Sequence, residues 1–210
     1  NSCPRGSVLH HCVLPAMSYR IMALLGAPCM QPLRSILVQH TVMTEVPMPI
    51  DEKIYKDIMS RHPGGVTVVT TIGTSGKAFG LTVSAFCTVS LHPPRILIVI
   101  DKASHTLSTL LASKAFTVSF LEEESADLAM HFASADEDKF GSLPHGSFIE
   151  LDTGPALVGD ATAYMQCRTA QEIDSGDHWI LVGAVERGVI LNDAEPLIYS
   201  HRQFRKMMPL

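Results

Sequence analysis

The sequence predicts a fold that is mainly antiparallel β, with a few short helices, closed into a barrel. Segments rich in β-branched and aromatic residues recur along residues 50–210, and glycine, proline and aspartate cluster between them. Strands that follow one another through short turns pair antiparallel. So many strands with so few helices favour a closed barrel. The hydrophobic content of 46% is enough for one sizeable core.

The first predicted elements are a helix and a β-hairpin. Residues 51–60 place isoleucine, tyrosine and methionine on one helical face behind an acidic first turn. The His-Pro-Gly-Gly sequence at 62–65 ends this helix, and β-branched residues predict a strand at 66–71. A Gly-Thr-Ser-Gly turn at 73–76 then returns the chain into a second, longer strand over 79–91.

The longer strand of this hairpin carries hydroxyl side chains on one face. Strict alternation places Thr82, Ser84, Thr88 and Ser90 on the same side as Phe86, with aliphatic residues on the other side. A solvated sheet face usually carries lysine and glutamate, so hydroxyls around an aromatic ring suit a flat polar ligand better than bulk water. The sequence therefore predicts a ligand-binding shelf along this strand.

The rest of the chain adds more strands and two short helices. Pro93 and Pro94 end the long strand, and the aliphatic run at 95–100 is expected to be a buried strand. Ser104 stands at the N-cap position of a short helix. Strands are predicted at 116–121, 148–151, 161–169, 179–189 and 197–199, a helix at 122–132, and a loop or short helix at 136–140.

Residues 1–44 differ in kind from the remainder. They contain three arginines and no acidic residue, so their net charge is +3. Because the whole chain carries −5, residues 45–210 carry −8. Such a composition is compatible with an acid-poor transit peptide, with translated sequence upstream of a start near Met43, or with a structured functional arm. We expect residues 1–44 to be an extension that is disordered or outside the native start, and residues 45–210 to form the domain.

Charge, cysteine usage and motifs argue against several function classes. The net charge of −5 and the lack of a basic stripe argue against nucleic-acid binding, and no apolar run is long enough to span a membrane. Cys87 and Cys167 have no CxxC spacing, which indicates no metal site and fits a reducing cytoplasm. No glycine-rich dinucleotide or P-loop fingerprint is present.

Two short polar segments could carry chemistry. Lys102, Ser104 and Thr106 lead into a predicted helix start and suit a phosphate group, although a plain N-cap is the alternative. His178 stands at the predicted barrel rim and could exchange a proton near neutral pH, unless it is an ordinary surface histidine. A Ser-His-Asp hydrolase is disfavoured because no G-x-S-x-G elbow exists and because Asp177 and His178 are neighbours whose side chains should diverge.

Several motifs keep a fixed order between about Tyr55 and Phe204. They are PGGVTVVT at 63–70, GLTVSAFCTVSLHPP at 80–94, Ser-His-Thr at 104–106, FTVS at 116–119, Lys-Phe at 139–140, GDH at 176–178 and PLIY at 196–199. In this order and spacing the chain resembles the flavin reductase-like, FMN-binding split-barrel family, specifically the small reductase components of two-component flavin-dependent monooxygenases. The resemblance implies an antiparallel split β-barrel of the FMN-binding type.

The resemblance also implies a set of cofactor-binding residues. The flavin ring and ribityl chain would be held by backbone and hydroxyl groups of Thr82, Val83, Ser84 and Ala85, the phosphate by Lys102, Ser104 and Thr106, and the pocket closed by Phe116, Ser119, Lys139 and Phe140. The family commonly has a second serine at position 85 and asparagine at position 119. These two departures alter the side-chain hydrogen bond that the family makes at each position and leave backbone contacts intact.

By the same resemblance, the protein is expected to be an NAD(P)H:flavin oxidoreductase. NADH or NADPH would donate a hydride to FMN or FAD, with His178 as the catalytic residue beside the ring where nicotinamide stacks. The reduced flavin would pass to a separate monooxygenase, and the protein would be a homodimer. Two alternatives are a non-catalytic flavin-binding carrier or partner subunit, and an FMN-dependent oxidase of a small amine.

Overall fold

A computed structural model describes residues 50–136 and 138–208, so the extension expected at 1–44 lies outside the described residues. The helices of the described part are α1 (Glu52–Met59), α2 (Leu107–Ser113) and α3 (Ala126–Ala133). The strands are β1 (Gly64–Gly65), β2 (Thr67–Ile72), β3 (Ala78–Val83), β4 (Phe86–Leu91), β5 (Pro94–Asp101), β6 (Ala115–Leu121), β7 (Phe148–Ile149), β8 (Ala156–Leu157), β9 (Ala161–Ser175), β10 (His178–Ile190), β11 (Ile198–Ser200) and β12 (Gln203–Arg205). None of these helices is long and apolar enough to cross a membrane.

Seven strands form one antiparallel sheet in the order β3-β2-β6-β9-β10-β5-β4. Two small sheets, β1-β11-β12 and β7-β8, complete the β structure of the described residues. The two edge strands do not pair with each other, and β3 approaches β5 across the gap. The predicted antiparallel fold is therefore confirmed, and its barrel is split along β3.

The single strand predicted over 79–91 is wrong. β3 ends before Ser84 and β4 begins after Ala85, because the chain changes its hydrogen-bonding partner from β2 to β5 at this point. Thr82 and Thr88 consequently lie at opposite edges of the sheet. The predicted shelf is thus confined to the β3 end, and the hydroxyls of β4 belong to another surface.

Two helix starts also differ from the predictions. Helix α2 has Thr106 as its N-cap, without a side-chain capping bond, and the Ser104 hydroxyl instead accepts the Thr106 N–H at 3.4 Å. The helix predicted from 122 begins only at Ala126. The N–H groups of Glu122 and Glu123 donate to the carbonyls of Asp160 and Glu195 at 3.1 and 2.8 Å, and Glu122 forms a β-bridge with Pro196, so strand-like pairing continues past β6 before the helix begins.

The core has two parts. One fills the barrel interior and includes Val69, Ile98 and Phe116, all without exposed surface. The other lies beneath α3 and includes Phe132 and Leu157, also without exposed surface. The predicted two-sided burial of the strand at 95–100 is wrong, because its residues alternate between buried and half-buried.

β10 approaches the barrel core most closely at Gly183. A Cβ atom at this position would lie 2.6 Å from Cζ of Phe116 and 3.1 Å from Cβ of Cys167, and both of these residues are fully buried. Such separations are below normal van der Waals contact, so an added methyl group must displace the core. Gly188 on the same strand has its nearest neighbour, the Tyr164 carbonyl, at 3.5 Å, which is an ordinary contact.

We therefore expect Gly183→Ala to destabilise the fold by overpacking. The free energy of unfolding in urea should fall by about 1–3 kcal/mol. The matched variant Gly188→Ala should change it by no more than about 1 kcal/mol, because its added Cβ meets only ordinary contacts. Equal losses in the two variants would contradict this description of the core.

Candidate functional site

A groove of about 620 Å³ runs along the free edge of β3. One wall is β3 with its preceding turn, residues 77–82. The second wall is the loop before α2, with Asp101 and residues 103–106, and the third is the carboxyl end of α3, residues 132–136, together with Lys139. The groove is thus bounded by three segments that are distant in sequence.

The backbone of β3 presents hydrogen-bonding groups to this groove. The Lys77 carbonyl accepts the Gly73 N–H inside the hairpin at 2.9 Å, whereas the Gly80 carbonyl accepts the Thr106 hydroxyl from the groove side at 3.4 Å. Alternate residues of an antiparallel strand direct their N–H and C=O groups to opposite sides. The polar backbone groups of Gly80 and Thr82 therefore face the groove, where the Gly80 carbonyl accepts the Thr106 hydroxyl and the two N–H groups are directed at the space a ligand would fill.

Helix α3, which forms the third wall of the groove, is held against β3 by two contacts. The Thr82 hydroxyl donates to the Ala129 carbonyl at 2.6 Å. Gly80 allows the Phe132 ring to approach, because a Cβ there would lie 2.7 Å from Cε1 of that ring. The Thr82 side chain therefore serves the wall, and only its backbone remains free for a ligand.

The segment after α3 is tied back to the helix by Lys139. Its Nζ donates to the Phe132 carbonyl at 2.5 Å, and His131 Nε2 donates to the Lys139 carbonyl at 2.7 Å. Burial lowers the pKa of Lys139, and the charge of Asp136 opposes this effect. The amine of Lys139 is thus held at the groove wall by the carboxyl end of α3.

The loop before α2, which forms the second wall of the groove, is folded by hydrogen bonds to Asp101. The Asp101 carboxylate accepts the Ala103 N–H at 2.8 Å, and the Ser104 N–H donates to the Asp101 carbonyl at 3.0 Å. These bonds fold the loop so that the hydroxyls of Ser104 and Thr106 lie in the groove lining. Lys102 is directed elsewhere, since its Nζ pairs with Asp174 at 2.5 Å.

His178 opens β10 directly beside the groove. Its Cα is the register partner of Asp101, a groove residue. Its Nδ1 lies 2.6 Å from the Asp177 carboxylate, and this hydrogen bond lowers the pKa of Asp177. The expectation that these two side chains diverge is wrong, because Asp177 belongs to the turn after Gly176 and not to the strand.

The comparisons with known proteins agree with this architecture. Residues 59–208 match the model of the family described as "Flavin reductase like domain". The chain belongs to the flavin reductase-like family. Across the described residues, no group of three or more histidine, cysteine or acidic side chains is arranged to hold a metal ion.

Individual relatives extend this finding. The chain is 36% identical over 160 residues to a flavin reductase (NADH) of Kitasatospora aureofaciens, which covers 75% of this chain and 82% of the relative. It is 30% identical to the NADH:FAD oxidoreductase SgcE6 of Streptomyces globisporus, solved in complex with NAD and FAD fragments, with a TM-score of 0.69 over 75% of this chain and 94% of that one. BorF, the flavin reductase component of a bacterial two-component tryptophan halogenase, is 30% identical with a TM-score of 0.68 over 76% of this chain and 100% of that one.

In this flavin reductase-like chain, four of the predicted binding residues line the groove together: Thr82, Ser104, Thr106 and Lys139. Ser84 and Ala85 follow Thr82 along the chain and are exposed, whereas the side chain of Val83 points into the core. Lys102 and His178 are not in the groove lining. Lys102 follows the groove residue Asp101 in the chain, and His178 is paired with Asp101 in the sheet.

Three predicted pocket residues are not in the groove. Phe116 has no exposed surface in the barrel core, and the buried Ser119 hydroxyl accepts the Leu157 N–H at 3.0 Å. Phe140 packs edge-to-face on Phe132 with ring centroids 5.4 Å apart. The physical reason for the first two is that β6 is a central strand, covered on both faces.

Sequence reasoning missed other lining residues, among them Lys77, Phe79 and His105. Lys77 and Phe79 precede the recognised GLTVS segment, and nothing in their local pattern marks the groove. Recognising β3 as an edge strand would have identified them, because a groove along an edge involves every residue of the strand. His105 belongs to the Ser-His-Thr motif at 104–106, but the resemblance assigns a role only to its two neighbours.

Proposed function

We propose that this protein is an NAD(P)H:flavin oxidoreductase that supplies reduced flavin to a separate monooxygenase. The observation that carries the proposal is the groove along the free edge of β3. This groove combines the N–H groups of Gly80 and Thr82, which point away from β2, with the side chains of Ser104 and Thr106. Its volume of about 620 Å³ lies within the usual range of small-molecule sites.

The residues of the groove fit a flavin. Backbone groups of Thr82 in the groove, with those of Ser84 and the Ala85 N–H just beyond its end, would hold the ring, because flavin rings carry hydrogen-bond donors and acceptors along one edge. The Ser104 hydroxyl would donate to the phosphate, and the Thr106 hydroxyl would do so by exchanging its 3.4 Å bond to the Gly80 carbonyl for a phosphate oxygen. Lys139 would add positive charge at the groove wall. Burial lowers the pKa of its amine, and the amine donates a hydrogen bond to the Phe132 carbonyl.

The chain itself needs to contribute positioning more than acid-base chemistry. A bound flavin accepts a hydride from a nicotinamide nucleotide and supplies the redox chemistry. The groove walls would orient the ring, and His178, the first residue of β10, is half-exposed beside Asp101. Asp177 holds one imidazole nitrogen, so the ring has a fixed orientation at the groove margin.

The relatives support the donor and the destination of the reducing equivalents. A reductase named for NADH is 36% identical, and SgcE6 is described with NAD and FAD fragments. BorF is the reductase component of a two-component halogenase, and HsaB of Rhodococcus jostii, 28% identical to this chain, is the reductase subunit of a flavin-dependent monooxygenase. We therefore take NADH as the hydride donor, FMN or FAD as the acceptor, and a flavin-dependent monooxygenase as the partner that receives reduced flavin.

The proposal includes a homodimer in the cytoplasm. Helix α1 exposes about half of the surface of Ile54, Tyr55 and Ile58, an apolar face that a second copy of the chain would cover. Both cysteines of the described residues, Cys87 and Cys167, are free thiols, which supports a reducing compartment.

The first test mixes purified protein at catalytic concentration with NADH and an excess of FMN or FAD. We expect the absorbance of NADH to fall at a rate proportional to protein concentration. Flavin binding without NADH oxidation would contradict the enzyme and support a carrier. Flavin that survives dialysis and is reduced by a small amine but not by NADH would contradict it in favour of an oxidase.

The second test concerns the histidine at the groove margin. His178→Ala should lower kcat by about tenfold or more, because nicotinamide loses a positioning contact beside the ring. The dissociation constant of the flavin should stay within about twofold, since His178 is not in the groove lining. His145→Ala, which removes an exposed loop histidine, is the control. Unchanged turnover in His178→Ala would remove this residue from the site.

A further inference from the structure

We propose that the end of the groove formed by Lys77 and Phe79 binds the adenosine-phosphate half of a dinucleotide. This inference rests on the proposed function, because a flavin or nicotinamide dinucleotide must enter the same groove. It adds a second subsite to the one formed by Thr82, Ser104 and Thr106.

The groove continues well beyond the hydroxyls that suit the first phosphate. Thr106 meets β3 at Gly80, where its hydroxyl contacts the carbonyl. Lys77 lies three residues before Gly80, roughly 10 Å away along an extended backbone, and still lines the same groove. A mononucleotide anchored at Thr106 with its ring near Thr82 would leave this part of the groove empty.

Lys77 is the lining lysine whose charge is free to meet a phosphate. The amine of Lys139 donates to the Phe132 carbonyl and has the carboxylate of Asp136 nearby. Within the described residues, by contrast, Lys77 forms no ion pair. An unpaired ammonium at the margin of a nucleotide groove favours a second, distal phosphate group.

Phe79 provides a flat surface beside this charge. Lys77 Nζ lies 5.4 Å from the centroid of the Phe79 ring, and the ring is half-buried in the groove wall. The backbone of the hairpin supports the ring, because a Cβ at Gly73 would lie only 3.1 Å from its Cε2 atom. A supported aromatic ring with an ammonium over it brings together a stacking surface for a purine and a charge for its phosphate.

Two ligands carry this chemistry, and the experiment separates them. FAD contains the adenosine phosphate that FMN lacks, and NADH contains it as well. If FAD occupies the subsite, substitution of Lys77 will weaken FAD binding relative to FMN binding. If NADH occupies it, the same substitution will raise the KM for NADH measured with FMN as the acceptor.

The test compares Lys77→Ala and Lys77→Arg with the control variant Lys53→Ala. Lys53 lies on the exposed helix α1 and, like Lys77, takes part in no ion pair of the described residues. The dissociation constants of FAD, FMN and 5′-AMP and the KM for NADH are measured for each. In Lys77→Ala we expect weaker 5′-AMP binding and about a tenfold rise either in the FAD-to-FMN ratio of dissociation constants or in the KM for NADH. Lys77→Arg should restore most of the loss, because it keeps the charge.

The result that overturns the inference is distinct from the one that overturns the enzyme. If Lys77→Ala matches Lys53→Ala for all three ligands and for NADH, the adenosine-phosphate subsite is wrong, whatever the activity. If the unaltered protein binds flavin and does not oxidise NADH, the proposed function fails. The ratio of FAD to FMN dissociation constants then still decides whether Lys77 recognises the adenosine phosphate.

Discussion

The groove exists because β3 has a hydrogen-bonded neighbour on only one side. The chain leaves β2 at Ser84 and Ala85 and joins β5 through β4, so the seven-stranded sheet never closes on itself. An open strand edge is normally a liability, since its polar backbone groups invite another strand. Here α3 and the loop before α2 flank that edge and convert it into a walled groove. Every element of the candidate site depends on this open edge.

The walls combine fixed and accessible parts. On one side, Gly80 and Phe132 interlock and the Thr82 hydroxyl is bonded to α3, so this side packs like a core. On the other side, Ser84 and Ala85 stay exposed where β3 ends. A ligand therefore meets a rigid edge whose position is set by packing, while the exposed end leaves room for a second nucleotide and for release of the product.

Much of the fold could be predicted from local sequence, because β-branched segments and short turns mark antiparallel strands directly. The loop before α2 was placed at the groove for the same reason, since Ser104 and Thr106 carry a local signal. The break at Ser84 was missed because side-chain alternation continues through a change of strand partner. Phe116 and Ser119 were misplaced because no local pattern says that β6 is central, and the contact between Asp177 and His178 depends on turn geometry. Sheet order, which is a property of the whole chain, accounts for these failures.

The most direct test of the open-edge account is amide hydrogen exchange along β3 with and without FMN. Gly80 and Thr82 direct their N–H groups into the groove, whereas Phe79 and Leu81 direct theirs to β2. The account predicts that FMN slows exchange at Gly80 and Thr82 and leaves the two alternate amides unchanged. Protection by FMN at another surface, with exchange at Gly80 and Thr82 unaltered, would contradict it.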